Sequence, residues 1–147
     1  MSVLVLIVLF GGLILFRALG ALGVSAFGTW RESTIYALAI MFCFTAFAHF
    51  GRLRDDLARM VPPWIPNPKA VVVLTGVLEI LGAIGLIIPD TRWLAGVCLI
   101  AFLVAVFPAN IHAAQAKVKL GTRLATPLWI RGPMQILLIL IVFWVIS

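Results

Sequence analysis

Five long apolar runs divide the chain, and short charged or proline-rich segments separate them. The runs cover residues 3–27, 34–50, 70–88, 93–111 and 128–146. A helix crosses a hydrocarbon layer of about 30 Å with roughly 20 apolar residues, because each residue adds about 1.5 Å. Every run approaches or reaches this length, the second only just. The pattern therefore predicts a single all-α membrane domain, residues 1–147, with five transmembrane helices.

Composition supports this class. Hydrophobic residues make up 64% of the chain and charged residues 11%, whereas soluble domains carry about 25% charged residues. The formal net charge of +6 falls mainly in short connections, where membrane proteins carry basic residues. We therefore expect the lipid bilayer as a partner and no nucleic acid, while the sequence leaves open a homo-oligomer.

The basic residues also predict an orientation. Two connections that five spans place on one side carry most of them: Arg52, Arg54, Arg59, Lys69, Lys117, Lys119 and Arg123. The other side has Arg31 and Arg92. The positive-inside rule places the N-terminus in the cytoplasm and the C-terminus outside, in a bacterial inner membrane. A cleaved signal peptide ending near Ala26 is the alternative. The missing basic start and the long apolar run favour a retained helix.

The connection after the second run has two parts. Leu53, Leu57 and Met60 share one helical face, which predicts a short helix in the membrane interface over residues 52–60. The proline-rich segment 62–68 is unsuited to a helix and predicts a stiff lid. Within it, Trp64 fits either an interfacial anchor or a ligand-stacking side chain.

Glu79 lies near the middle of the third run. A charge at that depth costs about 2.5–3.5 kcal/mol, so such a carboxyl is usually neutral, paired or turned toward a polar cavity. Arg17, at similar depth, is the predicted partner, and the pair fits a structural or a functional role. Thr75 is one turn away and could hydrogen-bond the carboxyl. The neighbouring Gly76, Gly82 and Gly85 would let another helix approach closely.

Further polar residues fall in or near the cytoplasmic part of the predicted helices: His49, Asn110, His112, Arg131 and Gln135. Their convergence predicts a water-accessible cavity that opens toward the cytoplasm near the lid. His49 fits proton exchange or a helix cap. Arg131 and Gln135 share a face and could bind an anionic or carbonyl oxygen, although Arg131 could also reach lipid phosphates.

Asn110 and His112 point about 200° apart on a regular helix, so both face one cavity only if Pro108 distorts the helix. The two histidines, His49 and His112, would also fit bis-histidine haem ligation, but no Cys-x-x-Cys-His motif supports it. No other metal-ligand spacing occurs, and we predict no metal site.

Five blocks in order resemble the signature of the DoxX family. They are His49-Phe50, Pro62-Pro63-Trp64-Ile65-Pro66, Gly76-Val77-Leu78-Glu79-Ile80-Leu81-Gly82, Pro89-Asp90-Thr91-Arg92 and Phe107-Pro108-Ala109-Asn110. The start of the last run, residues 131–135, is also similar. The resemblance runs over residues 36–144 and implies a four-helix transmembrane bundle core, to which residues 3–27 add one N-terminal helix. It also implies a group linked to quinone-coupled sulfur oxidation, oxidative-stress complexes and maturation of periplasmic redox enzymes.

Two functions follow as hypotheses. In the first, the protein is a quinone-linked redox accessory subunit in which Glu79 or His49 exchanges protons with a bound quinone. The chain encodes no electron carrier, so a redox-enzyme partner subunit would supply it. In the second, the protein is a non-enzymatic small transporter, or a membrane assembly or chaperone protein, that binds a lipophilic ligand or partner helix in the same cavity.

Overall fold

The computed structural model of the chain describes residues 2–121, 123–124 and 126–147. The helices are α1 Ser2–Ala21, α2 Trp30–Phe50, α3 Arg54–Ala58, α4 Pro68–Ile87, α5 Pro89–Gln115 and α6 Leu128–Ile146, with a 3₁₀ turn at Ser25–Phe27. A two-residue antiparallel ladder joins β1 Lys119–Leu120 to β2 Arg123–Leu124. Five helices are long and apolar enough to cross a membrane. The structure confirms the predicted all-helical class with five such helices.

Local signals shift three of the predicted boundaries. The helix α2 begins at Trp30 rather than residue 34, because Thr29 and Glu32 form a reciprocal capping box. The helix α1 ends at Ala21 rather than residue 27, and Gly23 follows with φ of 102°, a conformation that favours glycine. The helix α5 extends to Gln115 at its far end, four residues beyond the predicted run.

The turn between α4 and α5 is closed by side chains from the start of α5. The Thr91 hydroxyl donates to the Gly85 carbonyl at 3.0 Å. The Arg92 guanidinium donates to the carbonyls of Leu86 at 2.9 Å and Ile87 at 3.2 Å. The last carbonyls of a helix lack intrahelical partners, so these bonds stabilise the end of α4 and fix the tight hairpin.

The long helices pack in chain order: α1 on α2, α2 on α4, α4 on α5, and α5 on α6. Val5 and Leu9 of α1 belong to the same buried cluster as Phe42 of α2 and Val142 of α6. The first helix therefore shares the main core. The prediction of a four-helix core with an added N-terminal helix is not confirmed.

Glycines set the closest approaches of α4. A β-carbon at Gly76 would lie 2.7 Å from the β-carbon of His49 in α2, and one at Gly85 would lie 2.6 Å from the β-carbon of Ala95 in α5. A β-carbon at Gly82 would meet the Leu99 side chain. The close approach expected around Glu79 is therefore present, with α2 on one side of α4 and α5 on the other.

We call the end of the bundle that carries residues 51–67, 116–121, 123–124 and 126–127 the basic end. There, Leu57 and Met60 are buried with Val72 and Ala113, so the apolar face predicted for the short helix α3 packs against the bundle. The Asp55 carboxylate lies 2.9 Å from the Lys69 amine. At the opposite end, α2 and α6 are joined by a hydrogen bond from the Arg31 guanidinium to a backbone carbonyl, that of Val145.

Candidate ligand cavity

A cavity of about 670 Å³ lies between α2, α4, α5 and α6, beside the proline-rich segment. Its walls are mostly apolar, and Ala101, Ala105 and Ala109 follow one face of α5 along it. Residues at spacing i, i+4 and i+8 lie one above another on a helix. These three small side chains therefore leave room along the length of the cavity.

Most of the polar residues predicted from the sequence meet at this cavity. Glu79, His49, Asn110, Arg131, Gln135 and Trp64 all line it. Glu79, Arg131 and Gln135 are 8%, 4% and 7% exposed, so protein atoms surround them almost completely. They fall into two groups, one between α2 and α4 and the other between α5 and α6.

The first group is the histidine–glutamate pair, His49 and Glu79. The His49 Nδ1 lies 2.8 Å from the Val72 carbonyl, so Nδ1 carries a proton and donates to that oxygen. The Thr75 hydroxyl also donates to the Val72 carbonyl, at 2.8 Å. This arrangement turns Nε2 of His49 toward the Glu79 carboxyl, 3.6 Å from Oε2.

The pair is suited to hold a single proton. At 3.6 Å the Nε2 and Oε2 atoms are too far apart for a hydrogen bond, and within the described chain Oε2 of Glu79 has no hydrogen-bond partner. A proton on either atom leaves the pair without net charge, as a neutral acid beside imidazole or as a carboxylate beside imidazolium. The Thr75 hydroxyl was predicted to bond the Glu79 carboxyl, but it bonds the Val72 carbonyl instead. The hydroxyl beside the Glu79 carboxyl is that of Thr45 in α2.

The second group is the arginine cluster, Asn110, Arg131 and Gln135. The Arg131 Nη1 donates to the Asn110 Oδ1 at 2.6 Å, and the Asn110 amide donates to the Gln135 Oε1 at 3.4 Å. The Gln135 amide in turn donates to the Leu103 carbonyl. Arg131 and Gln135, which were predicted to share a helix face, therefore belong to a chain of hydrogen bonds that joins α6 to α5.

Arg17 does not pair with Glu79, and that prediction was wrong. Its guanidinium donates to the Phe27 carbonyl at 3.4 Å and lies 5.4 Å from the centre of the Trp30 ring. The reason is the early end of α1: the chain turns back after Ala21 and brings the 3₁₀ turn beside Arg17. Arg17 therefore holds the α1–α2 connection, away from the cavity.

His112 also lies outside the cavity. Helix α5 continues through Pro108 to Gln115, so Asn110 and His112 keep their opposite directions. Asn110 faces the cavity, while the His112 Nδ1 lies 3.1 Å from the Met60 carbonyl. The two histidines bind carbonyls of different elements, and only His49 lines the cavity. The structure therefore does not bring them together as ligands of one haem.

Comparison of the sequence with protein-family models shows the family of the chain. Residues 38–146 match the model of the family described as "Domain of unknown function (DUF8561)". The chain is a member of the DUF8561 family. Comparisons with curated proteins and with solved structures give no match.

The resemblance to the DoxX family was wrong, because the family comparison finds DUF8561 and no DoxX match. Two of the blocks that suggested it have general structural roles in this DUF8561 protein. Thr91 and Arg92 cap the end of α4, and Gly76 and Gly82 permit close helix contacts. Short motifs with such structural roles recur in unrelated helical bundles, so their order was weak evidence of membership in that family.

The proline-rich segment of this family member forms part of the cavity wall. Pro62, Trp64 and Ile65 line it together with Met60 at the end of the α3 region. Trp64 lines the cavity although the residue is 73% exposed. The predicted position of this segment beside the cavity fits the structure, while the opening toward the cytoplasm stays a prediction.

Backbone carbonyls are the site groups that sequence reasoning missed. The carbonyls of Val72 and Leu103 orient His49 and Gln135. A carbonyl is present in every residue, so no pattern of side chains points to these two. Thr45 was visible in the sequence as a hydroxyl one turn before His49, and that spacing was the available signal for its place in the cavity.

Proposed function

We propose that this DUF8561 protein binds a lipophilic molecule with a polar head group inside the cavity, as a non-enzymatic transporter or membrane assembly protein. The proposal depends on one observation. The cavity of about 670 Å³ is mostly apolar, and the buried polar side chains that line it fall into two small groups. Ligand pockets commonly measure about 300–1,000 Å³ and combine apolar walls with a few convergent polar groups.

The arrangement favours a molecule with two chemically different parts. The alanine face of α5 and the apolar side chains of α2 and α6 would contact its hydrocarbon part. Asn110, Gln135 and the histidine–glutamate pair would bind oxygen atoms of the head group. In this proposal the basic end faces the cytoplasm, since basic connections favour that side.

The quinone-linked function depended on the resemblance to the DoxX family. No contact of the described residues favours a quinone over another lipophilic ligand, and a redox-enzyme partner subunit has no support of its own. The binding proposal depends only on the cavity, and quinones are one ligand class that the binding experiment includes.

The proposal is tested by native mass spectrometry of the protein purified in a neutral detergent. We expect one lipid-like molecule per chain after purification, and saturable binding of added oleyl alcohol. In Ala105→Trp, the indole ring would project into the cavity beside the hydrocarbon part of a ligand, and we expect both to be lost. The matched control is Val104→Trp on the same helix, because Val104 is 58% exposed and lies outside the cavity lining.

Equal binding in the wild type, Ala105→Trp and Val104→Trp would place the bound molecules on the lipid-facing surface and refute the proposal. Absence of any saturable binding by the wild type would refute it as well. A quinone recovered by extraction of the wild type and lost in Ala105→Trp would support the binding proposal and identify the ligand class.

A further inference from the structure

Arg131 is a buried cation whose hydrogen-bonding capacity is mostly unused. It lies at the start of α6, lines the cavity and is 4% exposed. Its Nη1 donates to Asn110, while its Nε is buried and has no hydrogen-bond partner among the described residues. A guanidinium presents several N–H donors in a planar fork and stays charged in proteins. Most of the fork therefore lacks a partner among the residues that the structure describes.

No carboxylate of the chain balances this charge by a direct ion pair. The chain has five acidic residues, and all five are described. They are Glu32 in the capping box of α2, Asp55 beside Lys69, Asp56 beside Arg59, Glu79 beside His49, and Asp90 in the first turn of α5. When the histidine–glutamate pair holds one proton it is neutral, and Arg131 then leaves the cavity with one uncompensated positive charge.

Buried charges in proteins are normally paired or hydrogen-bonded, because removal from water without compensation is strongly unfavourable. In a membrane the unfavourable effect is greater still, since lipid supplies no polar partner. With a neutral histidine–glutamate pair, the missing counter-charge is supplied by a group from outside the chain. Carboxylate and phosphate groups match a guanidinium fork through two parallel hydrogen bonds.

We infer that the cavity binds an acidic amphiphile whose carboxylate or phosphate head group pairs with Arg131. This inference rests on the proposed function and specifies its ligand class. Asn110 holds one arm of the guanidinium through its Oδ1, so Asn110 positions the fork while Arg131 supplies the charge. The hydrocarbon chain of the ligand lies along the alanine face of α5.

The test compares three probes with the same C18 chain and different heads: oleyl alcohol, oleic acid and 1-oleoyl lysophosphatidic acid. Affinities are measured at pH 8 in neutral-detergent micelles by native mass spectrometry. Hydrogen bonds to a charged group predict about ten- to a hundredfold tighter binding of an acidic probe than of the alcohol. In Arg131→Gln we expect the acidic probe to lose its preference over the alcohol.

The matched control is Arg54→Gln, which removes one positive charge from an exposed position outside the cavity lining. It should keep the full preference for the acidic probe, since exposed charges are screened. If Arg131→Gln does not fold, the affinities of the wild type for the acidic probes and for the alcohol still test the inference. Whichever acidic probe binds more tightly identifies carboxylate or phosphate as the preferred head.

Two results would overturn the inference. One is saturable alcohol binding with no preference for either acid, which would leave the proposed function standing and remove only the anionic ligand. The other is a wild-type preference for the alcohol that Glu79→Gln reverses, because it would show that Glu79 is the counter-charge of Arg131. Absence of alcohol and acid binding together would instead refute the proposed function.

Discussion

Replacement of Gly85 by alanine tests the packing of α4 on α5 most directly. The new β-carbon would lie 2.6 Å from the β-carbon of Ala95. Carbon atoms pack best at about 3.5–4.0 Å, so the two helices must separate by about 1 Å at this point. Neither methyl group can rotate away, and the adjustment falls on the backbone.

The expected effect combines two opposing contributions. Overpacking a tight contact destabilises by about 1–3 kcal/mol, and alanine in place of glycine stabilises a helix by about 0.5–1 kcal/mol. We expect Gly85→Ala to lower the free energy of unfolding by about 0.5–2 kcal/mol. The matched control is Gly11→Ala in α1, where no heavy atom lies within 4 Å of the added carbon; it should raise stability by about 0.5–1 kcal/mol.

A double variant makes the reasoning specific to this contact. In Gly85→Ala with Ala95→Gly, the methyl group moves from one helix to the other, and the nearest remaining atom, the Thr91 hydroxyl oxygen, is 3.7 Å away. The helix preferences cancel, so stability should return to within about 0.5–1 kcal/mol of the wild type. The assay is unfolding in mixed micelles with increasing dodecyl sulfate, followed by tryptophan fluorescence. Additive losses in the double variant, or equal stability of Gly85→Ala and Gly11→Ala, would refute the predicted contact.

Three further predictions concern the Arg17 and Glu79 pair, His112 and Asp55. A double-mutant cycle between Arg17→Gln and Glu79→Gln should be additive within about 0.5 kcal/mol, because the two side chains have separate partners; a larger coupling would contradict their separation. His112→Phe should lower stability by about 1 kcal/mol through loss of its bond to a backbone carbonyl, with unchanged oleyl alcohol affinity, and a binding defect would place this histidine in the site after all. The hydrogen bond from Lys69, and to a smaller extent the charge of Lys69, hold the pKa of Asp55 below its ordinary value. The contribution of this ion pair to stability is therefore present above about pH 4 and disappears as pH falls through the lowered pKa. The stability difference between the wild type and Asp55→Asn in a pH series should shrink toward zero in acid, and a difference that grows there would contradict this sign.

Most of the candidate site could be named from the sequence, because polar residues are rare in apolar runs and each one is conspicuous. Glu79, His49, Asn110, Arg131 and Gln135 were found in this way, and all five line one cavity. Their pairing could not be predicted. Depth along a helix is readable from residue number, whereas the direction of a side chain around the bundle depends on which helices are neighbours.

Arg17 and His112 show the consequence of that missing information. Both were at suitable depths, yet α1 ends early and turns Arg17 toward Trp30, and the uninterrupted helix α5 directs His112 to the Met60 carbonyl. Neither outcome could be read from depth, because Gly23 and Pro108 each allow more than one backbone path.

The sequence by itself determined the class of this DUF8561 protein, its five long helices and the inventory of its buried polar groups. These follow from length and hydropathy, which act locally along the chain. Only the tertiary structure decided that His49 faces Glu79 and that Arg131 has no acidic partner. Those facts arise from contacts between helices distant in sequence, where close packing at glycines and capped helix ends selects one arrangement among several that the same apolar pattern allows.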